Sequence, residues 1–235
     1  MKDANSSDSM NKIESAVRVS LFDEPEITEC GLYFEEGAWS DGYKFVAGLD
    51  EVGRGCIAGP VVAVACILDP QKPLPEKLND SKQLTAKQRE DISAEIRESC
   101  VAFAIGSVEA DEIDRINILE ATKLAMRNAI AGLNPTADYL LLDAISLKGV
   151  QLPQRSIIKG DSVSASIAAA SVIAKTYRDE MMRNYDSQFP EYGFAGHVGY
   201  GTKSHFDAIR NHGPCTLHRL SFRGVVPRDP ASTLR

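Results

Sequence analysis

Short apolar runs and longer amphipathic segments alternate along the chain from residue 45 onward. The runs at residues 45–49, 61–68 and 139–142 are apolar and rich in valine and leucine, which is typical of buried strands. Two further strands are predicted at residues 101–107 and 156–158. The pattern therefore predicts a sheet whose strands are largely buried.

Helix signals lie between and after these runs, at residues 85–100, 116–133, 164–185 and 203–211. The first segment begins with Thr85, and Gln88 three positions later completes a capping box. Small residues dominate positions 167–174, so we expect this part of the third segment to pack closely against its neighbours. Because strands come first as neighbours and then alternate with helices, the order predicts a mixed sheet with helices on both faces.

The first part of the chain has a different composition. Residues 1–43 are rich in Ser, Asp, Glu and Asn with little periodicity, which predicts a mobile acidic tail. We place one globular domain at residues 44–223 and an irregular tail at 224–235. The net charge of −7 is uneven, because residues 1–44 carry 10 acidic and 4 basic side chains, whereas the chain from Lys148 onward carries 7 acidic and 12 basic ones. This distribution is compatible with phosphate contacts but does not require them.

The sequence does not indicate a membrane-spanning, secreted or zinc-binding protein. The longest mostly apolar stretch, residues 57–68, contains Gly59 and Pro60 and is too short to span a bilayer. The polar N-terminus has no apolar signal segment. The five cysteines are scattered, odd in number and without a C-x-x-C pair. The sequence therefore predicts a cytoplasmic protein with reduced thiols and no membrane partner.

Four carboxylates follow the predicted strands. Asp50 and Glu51 end the first strand, and Asp143 ends the strand at residues 139–142. Asp161 follows the last strand, at the head of a helix, where it also fits a helix N-cap. Each acid alone has such an ordinary explanation, but together they lie at the carboxyl ends of strands, where α/β sheets place their sites. Adjacent carboxylates repel one another, and a pair of Mg²⁺ or Mn²⁺ ions would compensate and support phosphodiester hydrolysis.

A glycine-rich segment follows the first acidic pair. Residues 53–58, with the sequence GRGCIA, match the pattern G-x-G-x-x-A. A dinucleotide-binding loop requires a helix directly afterwards, whereas here glycine, proline and a β-branched strand follow. The segment is either a plain tight turn, or a turn whose bare backbone N–H groups beside an arginine suit a phosphate or a sugar hydroxyl.

Histidines and a tyrosine lie near the C-terminus. His197, His205, His212 and His218 show no compact zinc spacing, so surface or structural roles are predicted. Tyr200 lies between two glycines, where it is free to stack on a sugar or a base, or to fold onto the protein surface.

Several segments of the chain, in their order, resemble bacterial ribonuclease HII. They are AGLDEVGRGCIAGPVVAVACIL, LNDSKQLT, ILEATKLAMRNAI, YLLLDA, IIKGDSVSASIAAASVIAKTYRD, FPEYGF, HVGYGTKSHFDAIRNHGP and HRLSF. The resemblance extends over residues 45–222, and the first and fifth segments are specific.

The resemblance implies an α/β, ribonuclease H-like catalytic domain, with a mixed five-stranded sheet flanked by helices and a helical C-terminal portion that closes over the substrate. It implies a metal-dependent endoribonuclease that acts on RNA–DNA hybrids and on duplex DNA with embedded ribonucleotides. An activated water would attack the phosphate on the 5′ side of a ribonucleotide and leave 3′-hydroxyl and 5′-phosphate ends, in ribonucleotide excision and RNA primer removal. The implied catalytic residues and ligands of two Mg²⁺ or Mn²⁺ ions are Asp50, Glu51, Asp143 and Asp161.

The resemblance also implies substrate contacts. Gly53, Arg54 and Gly55 look like the family's loop that reads the 2′-hydroxyl and the adjoining phosphates. Tyr200 looks like the tyrosine that packs on the ribonucleotide at the RNA–DNA junction. Further contacts with backbone phosphates are expected from Ser81, Lys82, Lys175 and Arg178.

Two features depart from the family pattern. Ala144 stands where the family usually has glycine, a change that would stiffen the turn or crowd a metal-bound water. The N-terminal tail is longer than the core requires, and its residues 18–22, RVSLF, are similar to the bacterial sliding-clamp pentapeptide. A clamp contact through Val19, Leu21 and Phe22 is one hypothesis, and a hydrophobic patch that folds back on the core is the other.

Other functions fit less well. Ribonuclease HIII carries a folded N-terminal platform, which a short acidic segment cannot build, and lacks the Gly-Arg-Gly loop. A catalytically silent nucleic-acid binding module is disfavoured because four unused carboxylates would repel phosphate. A phosphate-transfer enzyme of nucleotide metabolism would need a G-x-x-x-x-G-K-[ST] loop, which the chain lacks. Nothing in the sequence indicates an obligate dimer, so we expect a monomer.

Overall fold

A mixed five-stranded sheet forms the centre of the protein, as the sequence predicts. The computed structural model describes residues 27–78 and 84–226. The strands are β1 Val46–Val52, β2 Val61–Ile67, β3 Ala102–Val108, β4 Tyr139–Asp143 and β5 Gln154–Ile157. Their spatial order is β3-β2-β1-β4-β5. β2 is antiparallel to both β1 and β3, whereas β4 is parallel to both β1 and β5.

Helices cover the sheet and form the C-terminal portion. They are α1 Tyr33–Ser40, α2 Ala86–Ser99, α3 Ala110–Ile116, α4 Ile118–Ala131, α5 Ala165–Gln188, α6 Phe194–His197 and α7 Lys203–His212. The predicted capping box is present, since Thr85 and Gln88 each accept a hydrogen bond from the other's backbone N–H. The helix predicted at residues 116–133 corresponds to α4. It is preceded by a further helix, α3, and the two helices are separated at Asn117, which has φ of 69°.

Two hydrophobic clusters fill the two faces of the sheet. On one face α4 packs against β2 and β3, and on the other α5 packs against β1 and β2, with α2 behind it. The small residues of α5 allow this approach, as the sequence predicts. At Gly48 in β1, a Cβ atom would lie 2.1 Å from the backbone carbon of Ser166, so only glycine permits the contact between β1 and the start of α5.

The predicted N-terminal boundary is wrong in part. Residues 33–40, assigned from the sequence to a mobile tail, form helix α1, and Ala38 packs with Val46 and Leu141 of the sheet. The helix also carries Glu35, which is fully buried. An eight-residue helix is too short to display a clear hydrophobic period, so its composition alone resembled a tail. The remaining tail assignments, at residues 1–26 and 227–235, lie outside the described residues.

The sequence also led to predictions about membrane-spanning segments and cysteines. In the described part of the chain, no helix is both long and apolar enough to cross a bilayer. All five cysteines are free thiols, and Cys56 and Cys66 are buried.

Candidate active site

Parallel strands bring the predicted acids to one edge of the sheet. In the register of β1 and β4, Leu49 pairs with Leu142, and Asp50 and Asp143 directly follow this pair. Asp143 in turn pairs with Ile157, the last residue of β5. The carboxyl ends of β1, β4 and β5 therefore lie side by side, as predicted from the order of strands.

Asp161 is brought to the same edge by a single turn of 3₁₀-helix. That turn spans Gly160–Ser162 and connects β5 to α5. The backbone N–H of Gly160 donates to Oδ1 of Asp143 at 2.8 Å, which ties the turn to the end of β4. Asp161 is only 5% exposed. The turn therefore places the buried Asp161 next to the strand that ends in Asp143.

The first acidic pair lies in an environment that disfavours its charge. Burial, followed by the neighbouring charge of Glu51, raises the pKa of Asp50 well above its ordinary value, although a hydrogen bond from Ser171 opposes this. Burial also raises the pKa of Glu51, against a hydrogen bond from Arg54. The charge of Asp143 raises both pKa values further. A nearby cation would relieve this repulsion.

The chemistry of the cluster fits a hard divalent cation. All four predicted ligands offer carboxylate oxygens, which Mg²⁺ and Mn²⁺ prefer. Oε2 of Glu51 is buried and has no hydrogen-bond partner, and an unpaired buried carboxylate oxygen is costly unless a cation binds it. As they stand, no three histidine, cysteine, aspartate or glutamate side chains in residues 27–78 and 84–226 converge closely enough to hold one ion. The assignment of these four carboxylates as ligands therefore stays a prediction.

The Gly-Arg-Gly turn and Tyr200 lie next to this cluster. Arg54 Nη1 donates to Oε1 of Glu51 at 2.9 Å, so the turn is connected to the acids. A Cβ atom on Gly55 would lie 3.9 Å from Cε1 of Tyr200, and Tyr200 is 45% exposed. The turn thus contacts Glu51 on one hand and Tyr200 on the other. Gly53 has φ of 91° and approaches Arg178 so closely that a Cβ atom would lie 2.3 Å from its Nε.

One predicted phosphate contact is wrong. Arg178 is fully buried, and its guanidinium donates to the carbonyls of Pro60, Val198 and Ala58 at 3.0, 2.8 and 3.0 Å. Its donors are thus directed into the protein and are not available to a phosphate. Lys175 donates to Oδ1 of Asp179 at 2.6 Å and is partly exposed. Ser81 and Lys82 lie outside the described residues.

A second buried arginine supports the Gly-Arg-Gly turn and was not anticipated from the sequence. Arg219 is fully buried, donates to the carbonyl of Gly59 through both Nε and Nη2, and donates to the carbonyl of Arg54 through Nη1 at 3.1 Å. Arg219 therefore holds the turn by a hydrogen bond to Arg54, whereas Arg178 packs against Gly53 and bonds to carbonyls outside the turn. The only sequence signal was the HRLSF segment, which contains Arg219.

A buried glutamate supports the start of α5 in a similar way. Oε1 of Glu35 accepts hydrogen bonds from the hydroxyls of Ser164 and Ser166, both at 2.6 Å, and from the backbone N–H of Ser166 at 2.9 Å. Ser164 is the N-cap of α5, three residues after Asp161. Helix α1 is thereby connected to the segment that carries Asp161.

Comparisons with known proteins show similarity to one family. A family model described as Ribonuclease HII matches residues 47–225. A protein named Ribonuclease HII from Syntrophotalea carbinolica is 53% identical over 194 residues, which are 83% of this chain and 92% of the relative. Another, from Chlamydia caviae, is 50% identical over 210 residues, which are 89% of this chain and 98% of the relative.

A solved structure shares the fold. The crystal structure of the ribonuclease H2 from Pyrococcus horikoshii OT3 superposes with a TM-score of 0.65 and 25% identity, over 77% of this chain and 95% of that one. The expected mixed sheet flanked by helices is therefore confirmed. The chain belongs to the ribonuclease HII family, and it is accordingly a metal-dependent ribonuclease H that acts on RNA–DNA hybrids.

Proposed function

We propose that the protein hydrolyses the phosphodiester on the 5′ side of a ribonucleotide with the help of two divalent ions, Mg²⁺ or Mn²⁺. Its substrates are RNA–DNA hybrids and duplex DNA with embedded ribonucleotides, and its products carry 3′-hydroxyl and 5′-phosphate ends. The observation that carries this proposal is the group of carboxylates at the ends of β1 and β4, in which Asp50 is buried and Glu51 has a buried oxygen without a partner. Such a group is stable as anions only beside cations.

The carboxylates of Asp50, Glu51, Asp143 and Asp161 would hold the ions. When bound, a pair of such ions activates a water and stabilises the leaving oxygen in phosphodiester hydrolysis. The chain supports this chemistry through contacts around the acids. The N–H of Gly160 fixes the orientation of Asp143, and Arg54 holds Oε1 of Glu51, which leaves Oε2 of Glu51 available as a ligand.

Selection of a ribonucleotide rests on the adjoining surface. The backbone N–H groups of Gly53, Arg54 and Gly55 would bind the 2′-hydroxyl and nearby phosphates, since the 2′-hydroxyl is what distinguishes RNA from DNA at one position. Tyr200 would pack on the ribonucleotide at the RNA–DNA junction, and its ring lies against Gly55 and is partly exposed. Lys175 would contribute a phosphate contact once Asp179 releases it.

The cellular role follows from this selectivity. The protein would act as a monomer in the cytoplasm, in ribonucleotide excision and RNA primer removal. The hypothesis of a sliding-clamp contact through Val19, Leu21 and Phe22 lies outside the described residues and stays a prediction.

A cleavage assay with matched duplexes tests the proposal. One duplex carries a single ribonucleotide, one is an RNA–DNA hybrid and one is all DNA, and each is incubated with Mg²⁺, with Mn²⁺ or with a chelator. We expect metal-dependent cutting on the 5′ side of the single ribonucleotide, with a product that DNA ligase accepts as a 5′-phosphate. No cutting at the single ribonucleotide, or equal cutting of the all-DNA duplex, would overturn the proposal.

A further inference from the structure

Two buried imidazoles lie behind the loop that carries Tyr200. His205, on α7, is fully buried, and His218, in the segment after α7, is 2% exposed. Their Nε2 atoms are 3.0 Å apart. Nδ1 of His205 lies 2.9 Å from the carbonyl oxygen of Tyr200. The two rings therefore form a direct link from residues 215–218 to the backbone of Tyr200.

The partners of this pair fix where each proton lies. The backbone N–H of Cys215 donates to Nδ1 of His218 at 2.9 Å, so this nitrogen is an acceptor and the proton of His218 is on Nε2. Because the Tyr200 carbonyl accepts, the proton of His205 is on Nδ1, and its Nε2 accepts from His218. The chain of donors runs in one direction, from Cys215 through His218 and His205 to the Tyr200 carbonyl.

A third histidine, His197, contacts the loop that carries Tyr200. The ring of His197 stacks on His205 with centroids 4.1 Å apart and planes 16° apart. Its Nδ1 accepts from the backbone N–H of Gly199 at 3.2 Å, and its Nε2 lies 2.8 Å from the carbonyl of Tyr192. The backbones of Gly199 and Tyr200 are thus each bonded to an imidazole ring.

We propose that His205 and His218 are positioning residues for ribonucleotide selection, because their one-directional hydrogen-bond chain sets the position of the Tyr200 backbone and hence of the ring that lies against Gly55. The proposal rests on the proposed function, in which Tyr200 acts at the RNA–DNA junction. A rigid Tyr200 loop would favour the junction geometry, and a loop released from His205 would accept other geometries as readily.

Matched substitutions at His205 separate this role from simple packing. The side-chain amide of Asn reaches the position of Nδ1, so His205→Asn keeps a donor to the Tyr200 carbonyl. The amide of Gln reaches the position of Nε2 instead, so His205→Gln keeps the partner of His218 and loses the bond to Tyr200. The substitution His212→Gln, on the exposed face of α7, is the control.

The readout is the ratio of kcat/KM for a duplex with one embedded ribonucleotide to kcat/KM for a continuous RNA–DNA hybrid. Loss of one hydrogen bond corresponds to a change of about two- to tenfold. We expect His205→Gln to lower the ratio by that amount, and His205→Asn and His212→Gln to keep it. Added to Tyr200→Ala, the substitution His205→Gln should lower the ratio no further, because the ring that it positions is absent. A general loss of folded protein would lower both kcat/KM values and leave the ratio unchanged.

Substitutions at His218 provide the same test if the His205→Gln variant does not fold. His218→Gln keeps the donor to His205, whereas His218→Asn keeps only the acceptor for Cys215, so only His218→Asn should lower the ratio. The proposal is overturned if the ratio is unchanged in His205→Gln while Tyr200→Ala lowers it in the same assay. If His205→Gln does not fold, the same criterion applies to His218→Asn. If wild-type protein shows no cutting at the single ribonucleotide, or if Tyr200→Ala leaves the ratio unchanged, the proposed function itself fails, and the positioning role fails with it.

Discussion

Oδ1 of Asp143 accepts a hydrogen bond from the backbone N–H of Gly160 at 2.8 Å, so the acid at the end of β4 is oriented by the residue that precedes Asp161. The turn has little room to move, since a Cβ atom on Gly160 would lie 2.6 Å from Cδ1 of Ile167. Two acids that are 18 positions apart in the sequence are therefore held by one rigid connection. The backbone connection between Asp143 and the turn of Asp161 is thus in place without a cation, whereas the charge of the carboxylates is what a cation would balance.

Removing one of these charges should separate metal binding from folding. We expect Asp50→Asn to lower kcat by at least about a hundredfold, as for loss of a group that stabilises charge in the transition state. The metal-free variant should be at least as stable as wild type, because a buried carboxylate that repels Glu51 is removed. Urea unfolding with and without Mn²⁺ measures this, and Mn²⁺ should stabilise wild type more than the variant. Near-normal turnover of the variant would contradict the assignment of Asp50 as a ligand.

Arg219 should contribute more to stability than an arginine on the surface. We expect Arg219→Met to lower the free energy of unfolding by about 2–4 kcal/mol, because the carbonyls of Arg54 and Gly59 lose charged donors. Arg219→Lys should recover only part of this loss, since one ammonium cannot reproduce the guanidinium fork. The control Arg210→Met, which breaks an exposed contact with Asp207, should change stability by less than about 0.5 kcal/mol. Equal losses for Arg219→Met and Arg210→Met would contradict the role of Arg219.

Local signals were sufficient for most of the fold but not for these arginines. The capping box of Thr85 and the strand that ends at Asp50 depend on residues within a few positions of each other, so both were predictable. Two of the three carbonyls that Arg178 bonds, those of Pro60 and Ala58, lie 118 and 120 positions away in the chain. Nothing in the sequence near Arg178 distinguishes this burial from exposure to phosphate, and charge alone favoured the wrong prediction.

The backbone of Ala144 adopts a conformation that favours glycine, the residue that the resemblance leads one to expect at this position. Ala144 has φ of 49°, in the left-handed region, and its N–H donates to the carbonyl of Ile157 at 2.9 Å. That conformation costs an alanine about 1–2 kcal/mol, whereas glycine loses about 0.4–1 kcal/mol through the entropy of the unfolded chain. We therefore expect Ala144→Gly to raise the free energy of unfolding by about 0.5–1 kcal/mol, measured by urea unfolding. A lower stability would mean that the backbone strain is relieved in solution.

Glu35 should connect helix α1 to the catalytic edge. We expect Glu35→Ala to lower the free energy of unfolding by about 2–4 kcal/mol, because Ser164 and Ser166 together lose three hydrogen bonds. Glu35→Gln keeps an acceptor oxygen and should recover much of this loss. Glu36→Ala, one position along on the exposed face of α1, is the control and should have little effect. If Glu35→Ala is as stable as Glu36→Ala, the helix does not contribute to the domain in solution.

The buried histidines should make stability depend on pH in the acid range. Burial, followed by the charges of His197 and His218, lowers the pKa of His205 from 6.5 to about 4, although its bond to the Tyr200 carbonyl opposes this. Burial lowers the pKa of His218 as well, although a hydrogen bond with the Cys215 backbone opposes this. Between about pH 6.5 and pH 4 the unfolded chain binds more protons than the folded one, so stability falls as the pH falls. For His205 the slope is at most about 1.4 kcal/mol per pH unit.

A variant without this titrating group isolates its effect. His205→Asn keeps the donor to Tyr200 but cannot be protonated, so its free energy of unfolding should fall less steeply between about pH 6.5 and pH 4 than that of wild type. Carboxylates titrate in both proteins and cancel in the comparison. Urea unfolding at several pH values measures the difference. Parallel curves for wild type and His205→Asn would mean that His205 is protonated in the folded protein, which is incompatible with the direction of its hydrogen bonds to Tyr200 and His218.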